Sequence, residues 1–420
     1  MQTTLAASIK DTPQGQEADA ILRSCVHCGF CLATCPTYQL LGDELDSPRG
    51  RIYLIKQMLE GAPVTGETQL HLDRCLTYRS CETTCPSGVR YGKLLDIGRS
   101  LTEQQVERQA IPALKRYVLR KVLPHRRRFA AAYALARLVR GILPREIRAK
   151  VPHKERQTQN WLLVRHTRRV ILLEGCVQPT LTPAVNVAAV HVLDRIGISV
   201  LRVAAAGCCG AVAHHLSAHD DTHQQLKHNI DAVWPHVESG VEAIIMTASA
   251  CTAMLTDYGH LLREDPAYAA RAARVSELAR EMSDVLLANA ATLKEALLEA
   301  LPASGRIQAG PKVAFQSPCT LQHALKIRGS VESLLGEAGF VLTPVPDSHL
   351  CCGSAGTYSI LQPALSARLL SDKVTALEQG GPAIIATANI GCQTQLRTGT
   401  SLPVLHWIQL LEGRLAGRTI

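Results

Sequence analysis

The second half of this 420-residue chain is written twice. One copy carries Cys176, then Cys208-Cys209-Gly210, then Cys251. The other carries Cys319, then Cys351-Cys352-Gly353, then Cys392. Cys176 to Cys208 and Cys319 to Cys351 are both 32 residues; the next intervals, Cys208 to Cys251 and Cys351 to Cys392, are 43 and 41. Such fidelity requires one fold used twice. The surroundings repeat as well. Short apolar runs at 170–175 and 312–318 lead into Cys176 and Cys319, and runs at 243–246 and 383–386 precede Cys251 and Cys392. Nearly continuous apolar runs of this length read as buried parallel strands. Val200–Val203 and Val341–Thr343 add a strand before each Cys-Cys-Gly, and Ala184–Ile196 and Leu321–Ala338 read as helices between strands. Alternation of this kind predicts a parallel α/β layer in each copy. The cysteines then lie past the carboxyl ends of their strands, where open α/β sheets hold ligands. The glycine after each pair would let the backbone pass close to a bulky group.

The first hundred residues carry a second cysteine pattern. Cys25-x-x-Cys28-x-x-Cys31-x-x-x-Cys35-Pro36 is followed by Cys75-x-x-Tyr78-x-x-Cys81-x-x-x-Cys85-Pro86. In paired runs of this spacing three thiolates bind one iron–sulfur cluster and the fourth serves the other. That rule assigns Cys25, Cys28, Cys31 and Cys85 to cluster one. Cluster two receives Cys35, Cys75 and Cys81, with Tyr78 where a fourth thiolate is expected. A phenol with a pKa near 10 ligates iron poorly. Cluster two is therefore a three-iron [3Fe-4S] centre, a [4Fe-4S] centre with water, hydroxide or Tyr78 as its fourth ligand, or a weakened site. Each duplicated set, Cys176/Cys208/Cys209/Cys251 and Cys319/Cys351/Cys352/Cys392, offers four more thiols. They read as a further metal or cluster site, or as buried packing and redox-active dithiols.

Fifteen cysteines in a long chain with a polar, acid-bearing start do not suit a secreted disulfide framework. Reduced thiols point to the cytoplasm. The triple spacing followed by Cys-Pro suits tetrahedral zinc poorly. A hydrophobic content of 46% with only 4% aromatics predicts aliphatic cores, and no transmembrane span is expected. No Gly-x-Gly-x-x-Gly or Walker-type loop announces a nucleotide, and no acyl-transfer arrangement stands out. No catalytic residue is assigned. Of sixteen histidines, His214, His215, His323 and His349 draw notice, and none is taken as a ligand. Arg49 and Arg51 either balance cluster charge or begin a solvated helix that stops at Gly61.

The net charge of +9 is uneven. Residues 111–156 hold fourteen Lys or Arg against Glu146 and Glu155, and the stretch is punctuated by Pro112, Pro124, Pro144 and Pro152. It reads as a basic amphipathic surface for anionic lipid or an acidic protein, or as a solvated helical linker. Nucleic acid is not expected, because aromatic interleaving is sparse.

Taken together, the two runs, the Ser47-Pro48-Arg49-Gly50-Arg51 segment, the stretch from Cys81 to Gly88, the Leu94–Arg99 segment and the two Cys-Cys-Gly domains closely resemble the iron–sulfur subunit of bacterial glycolate oxidase (glycolate dehydrogenase) over essentially the whole chain. The resemblance implies an α+β multidomain protein: a helical two-cluster ferredoxin module at 1–105, a basic, mainly helical connector at 106–165, and cysteine-rich domains at 166–290 and 291–420. It implies FAD-binding partner subunits that oxidise glycolate to glyoxylate, with D-lactate as a further candidate substrate, while this chain passes electrons to quinone or another membrane acceptor at the inner face of the membrane. One-electron centres alone do not remove a hydride, so this chain is not expected to oxidise substrate by itself. Subunits of lactate or anaerobic glycerol-3-phosphate dehydrogenases share the architecture, and a heterodisulfide-reductase-like thiol–disulfide reductase is the other reading. Here Met254 and Gln395 stand where those reductases close each domain with Cys-x-x-Cys, and Tyr78 stands where the family has Cys.

Overall fold

A computed structural model describes residues 1–142, 148, 151, 161–300 and 310–418. Strands β1 (Arg168–Leu172), β2 (Ile198–Arg202), β3 (Ala243–Met246) and β4 (Ala279–Glu281) form one sheet in the order β2-β1-β3-β4. Strands β5 (Lys312–Gln316), β6 (Val341–Leu342), β7 (Ile384–Thr387) and β8 (Val404–His406) form another in the order β6-β5-β7-β8. All pairings are parallel, and the two orders are identical. Each apolar run read as a strand is one, give or take a few terminal residues. The short strands β4 and β8 were not legible.

The stretch from Leu321 to Ala338 is not one helix, contrary to the sequence reading. A π-type turn at Thr320–Ala324 is followed by a break, and a helix runs from Ser330 to Glu337. Lys326 and Gly329 take φ of +59° and +77°. Left-handed residues interrupt a right-handed helix, which explains the break.

Alternate residues of β1 face opposite ways. Val170 and Leu172 enter a core shared with Val313 and Phe315 of β5, to which the Pro183–Arg195 and Trp407–Leu415 helices contribute. Ile171 and Leu173 face a separate core that contains Cys176, Cys208 and Cys209. Likewise Ala314 and Ile385 share a core with Cys352 and Cys392. The two copies thus meet through one apolar layer, and each keeps thiols in the core on its other face.

The N-terminal module is helical. Helices Pro13–Ser24, Pro48–Leu59 and Tyr91–Gln105 enclose Ile21, Leu22, Ile55, Leu59, Leu94 and Leu95. Ser47 starts the second of these by accepting the Gly50 N–H at 2.9 Å, with Pro48 at the first position. Gly98 allows the close crossing, because a Cβ there would fall 2.6 Å from Ile55 Cγ1.

In the connector, helices Ala110–Val122 and Arg126–Leu138 turn basic side chains towards the protein. Arg116 pairs with Asp73 at 2.7 Å, Arg120 and Lys121 with Asp221 at 3.2 and 3.1 Å, and Arg126 with Glu174 at 3.5 Å. Through these pairs the two described helices strap the helical module to the first α/β copy. Ile111, Leu114 and Tyr117 face outward. Pro144, Glu146, Pro152 and Glu155 lie outside the described residues. Among the described residues, no helix is long and apolar enough to cross a membrane.

Candidate functional site

Cys25, Cys28, Cys31 and Cys85 line one cavity of about 30 Å³, together with Arg49, Cys81 and Tyr91. His27 and Gly29 adopt φ of +56° and +81° and turn the loop around Cys28. A side chain at 29 would also meet Arg49 Nη1 at 2.9 Å. Burial pushes the Cys31 thiol up to about 11, whereas Cys28 is exposed. Beside it Val26 and Phe30 project outward, 66% and 61% exposed.

The second run copies that loop. Thr77 and Arg79 take φ of +55° and +67°, flanking residue 78 as His27 and Gly29 flank Cys28. Neither is glycine, and each left-handed residue costs roughly 1–2 kcal/mol. Strain held in this way clusters at functional sites. Cys35, Cys75 and Cys81 are buried here. Burial raises the Cys81 thiol well above its usual range, reinforced by Cys75, Glu82 and Cys35. Cys75 Sγ accepts from the Thr77 N–H at 3.4 Å and the Tyr91 hydroxyl at 3.5 Å.

Tyr78 is buried against Cys351, Tyr358, Leu365 and Leu369 of the second α/β copy. Its hydroxyl lies 3.3 Å from His323 Nε2, and the two rings meet edge to face at 4.9 Å. His323 Nδ1 in turn bonds Thr83 Oγ1 at 2.9 Å. Burial, then the nearby Cys351, Cys319 and Cys352, hold the phenol far above its usual pKa. Tyr78 is thus a neutral hydrogen-bonding group of the inter-module seam.

Arg51 does not begin a solvated helix; it is fully buried with Asp46. Asp46 binds Arg51 at 3.2 Å, His71 at 3.1 Å and Arg74 at 2.7 Å. Arg51 also donates to His71 O and Thr37 Oγ1. Thr37 and the Asp46 carbonyl lie 3.3 and 3.7 Å from Cys35 Sγ, so the network braces that cysteine. Arg49 pairs with Glu44 at 2.7 Å.

Each duplicated set assembles. Cys208 lies beside Cys176 and Cys209, and Cys209 beside Cys251, each thiol influencing the next. Cys351 lies beside Cys319 and Cys352, and Cys352 beside Cys392, in the same way. Their loops turn at Gly210 and Gly353, with φ of +94° and +78°. A Cβ at 353 would fall 2.5 Å from Ser366 O, so close packing on the next helix requires that glycine.

The donor sets suit iron–sulfur clusters. All fifteen cysteines are free thiols, soft donors for iron. Tetrahedral zinc–thiolate bonds of about 2.3 Å would bring sulfurs to about 3.8 Å apart. Among the described residues, no three thiols lie within 4.8 Å of one another. A core larger than one zinc ion fits that spread better.

The two copies differ. The second set lines a cavity of about 190 Å³ with Cys75, Tyr78, Arg99, His214 and His215; the first set does not. Buried Lys373 donates to the carbonyls of Asp347 and Ser348 at 3.3 and 2.9 Å. Hydrogen bonds from Cys351 and Cys392 hold the Cys352 thiol well below its usual range despite burial, helped by the Ser354 N–H and the Lys373 charge. Buried Ile230 stands as far past Cys209 as Lys373 does past Cys352. Sequence reasoning missed Lys373, Asp46, His71 and Arg74, which lie outside any cysteine motif.

Comparison with known proteins accords with this layout. A family described as a 4Fe-4S dicluster domain matches residues 21–89, and one described as a cysteine-rich domain matches 170–256 and 313–397. The lactate utilization protein A of an Exiguobacterium species is 27% identical over 253 residues, 58% of this chain and 96% of its own. The probable glycolate oxidase iron-sulfur subunit of Bacillus subtilis (strain 168) is 30% identical over 411 residues, covering 90% of this chain and 89% of its own. The glycolate oxidase iron-sulfur subunit of Escherichia coli (strain K12) is 52% identical over 415 residues, 99% of each chain. By identity sustained over nearly its whole length, the chain belongs to the family of glycolate oxidase iron–sulfur subunits.

Proposed function

We propose that this chain is the electron-transfer subunit of a glycolate-oxidising complex. FAD-binding partner subunits would convert glycolate to glyoxylate, removing two electrons and two protons. The chain would carry those electrons singly to quinone or another acceptor at the membrane. Iron–sulfur clusters supply one-electron redox chemistry when bound. Cys25, Cys28, Cys31 and Cys85 would hold a [4Fe-4S] cluster, and Cys35, Cys75 and Cys81 a three-iron cluster. Of the cysteine-rich sets, Cys319/Cys351/Cys352/Cys392 is the better placed for a further cluster, and Cys176/Cys208/Cys209/Cys251 would be the second such site. Protein groups bury the thiols, brace Cys35 through the Arg51–Asp46 network, and exclude water around Tyr78.

The observation that carries this reading is the buried seam of Leu76, Tyr78, Cys351 and Tyr358. It packs the second cysteine run directly on the second cysteine-rich set, with the Tyr358 hydroxyl donating to Arg74 O at 3.1 Å. The exposed end, Val26–Cys28–Phe30, would face the flavoprotein. The test is co-purification with FAD-containing subunits followed by dye reduction on glycolate, D-lactate and glycerol 3-phosphate. Glycolate-dependent reduction that disappears on deleting this chain is expected. A complex active only on lactate would support the second reading, which the likeness to lactate utilization protein A favours. Methyl viologen-driven disulfide reduction by the chain alone would instead support a thiol–disulfide reductase.

A further inference from the structure

We propose that Asp96, His214 and His215 form a divalent-metal site at the seam between the helical module and the first α/β copy. Asp96 lies on the Tyr91–Gln105 helix. The two histidines end the Ala211–His215 helix, just beyond the Cys208-Cys209-Gly210 turn. One ligand atom from each residue lies within 4.8 Å of the others. His214 Nε2 is 3.2 Å from Asp96 Oδ2. The His214 side chain is only 10% exposed, and its Nδ1 is buried with no partner. An ion on His214 Nε2 would sit along the existing contact to Asp96, and His215, exposed at the end of the same helix, would add the second imidazole. All three residues line the central cavity of about 190 Å³.

Two imidazoles and one carboxylate are the donors of zinc, ferrous iron or cobalt, whereas calcium and magnesium take oxygen. Bonds of about 2.0–2.2 Å need the donors to close in by small side-chain rotations. The neighbouring cations are engaged elsewhere. Lys93 pairs with Asp257 at 2.9 Å, and Arg99 donates to Leu72 O, Cys75 O and Thr77 Oγ1. Their positive charge disfavours binding by charge alone and leaves selection to the nitrogens. The ion's fourth position would face the cavity, open to water or a small ligand. A bound ion would staple the cluster-binding helices to the first cysteine-rich copy.

The experiment uses the full chain, purified anaerobically with its iron content measured. It is stripped with chelator, exposed to zinc(II), desalted, and counted for zinc and iron. His215→Gln keeps the Asp96–His214 pair and serves as the variant most certain to fold; His214→Gln accompanies it. Wild type should retain about one zinc per chain more than either variant, with iron equal in all three. Loss of either imidazole should weaken retention by about 100-fold or more, at or beyond the about 10–100-fold seen on losing an outer-shell partner. Zinc should also raise the melting midpoint of wild type alone. Equal zinc in wild type and variants, or a wild-type midpoint that zinc leaves unmoved, overturns the proposal.

Discussion

The Tyr78 hydroxyl reaches His323 Nε2 at 3.3 Å across the seam between the second cysteine run and the second α/β copy. The residue standing where a thiolate is expected is therefore used to join two modules. Replacing Tyr78 with Cys should add the missing donor. Iron should rise by about one per chain, and the electron paramagnetic resonance signal of an oxidised three-iron centre should vanish. A wild-type protein that is fully diamagnetic when oxidised, with two reducible four-iron clusters, would refute the three-iron assignment.

Asp46 is the fully buried acid that pairs with Arg51, His71 and Arg74. Removing one partner of a buried pair leaves the other charge uncompensated, at about 3–5 kcal/mol. Asp46→Ala should lower stability by that amount in denaturant titrations and should speed loss of iron from the Cys35 side. Unchanged stability would mean that water reaches Arg51.

Glu281 on β4 is buried, its Oε2 has no partner, and burial lifts its pKa to about 8. The folded state therefore holds a proton that the unfolded chain releases above about 4.5. Because the native state binds more protons, stability falls as pH rises from about 4.5 to about 8, then levels off. Glu281→Gln should flatten this slope and raise the denaturation midpoint more at pH 8 than at pH 5. Equal gains at both pH values would contradict the shift.

The strap should respond unequally at its two anchors. Asp73 is largely buried between Arg108 and Arg116, at 2.6 and 2.7 Å. Charge-assisted hydrogen bonds of that kind contribute about 1.5–3 kcal/mol, so Asp73→Ala should cost about 2 kcal/mol. The Asp221 pairs are more exposed, and Asp221→Ala should cost under about 1 kcal/mol and less still in high salt. Limited proteolysis within the strap, compared across salt concentrations, reads both.

Phe30 projects beside exposed Cys28. If this edge meets the flavoprotein, Phe30→Glu should weaken co-purification at least about tenfold while iron content stays unchanged, because burying an unpaired charge in an interface is costly. Undiminished co-purification would place the partner elsewhere.

Much of this was readable in residue order. The equal spacing from Cys176 to Cys208 and from Cys319 to Cys351 carried the duplicated fold, because strand length and loop length are local properties. The rule that the fourth cysteine crosses over put Cys85 with the first run, and Cys85 lines the cavity with Cys25, Cys28 and Cys31. Three things were not. The direction of Tyr78 depends on Cys351, Leu365 and Leu369, far away in the chain. The burial of Arg51 looked like any charged helix start until Asp46 and His71 closed over it. The strap's inward charge depends on Asp73 and Asp221, which no spacing rule connects to it. Short edge strands such as β8 gain their register from β7 rather than from their own three residues.

The loop around residue 78 retains the left-handed turns of its thiol-bearing twin at Thr77 and Arg79. Tyrosine and cysteine codons differ by a single base. A lineage could therefore cross between two redox wirings in one mutational step, in either direction, without rebuilding the loop. The retained turns keep residue 78 placed as its twin Cys28 is, so the exchange would be decided at the seam, where the ring now packs on Cys351, Leu365 and Leu369.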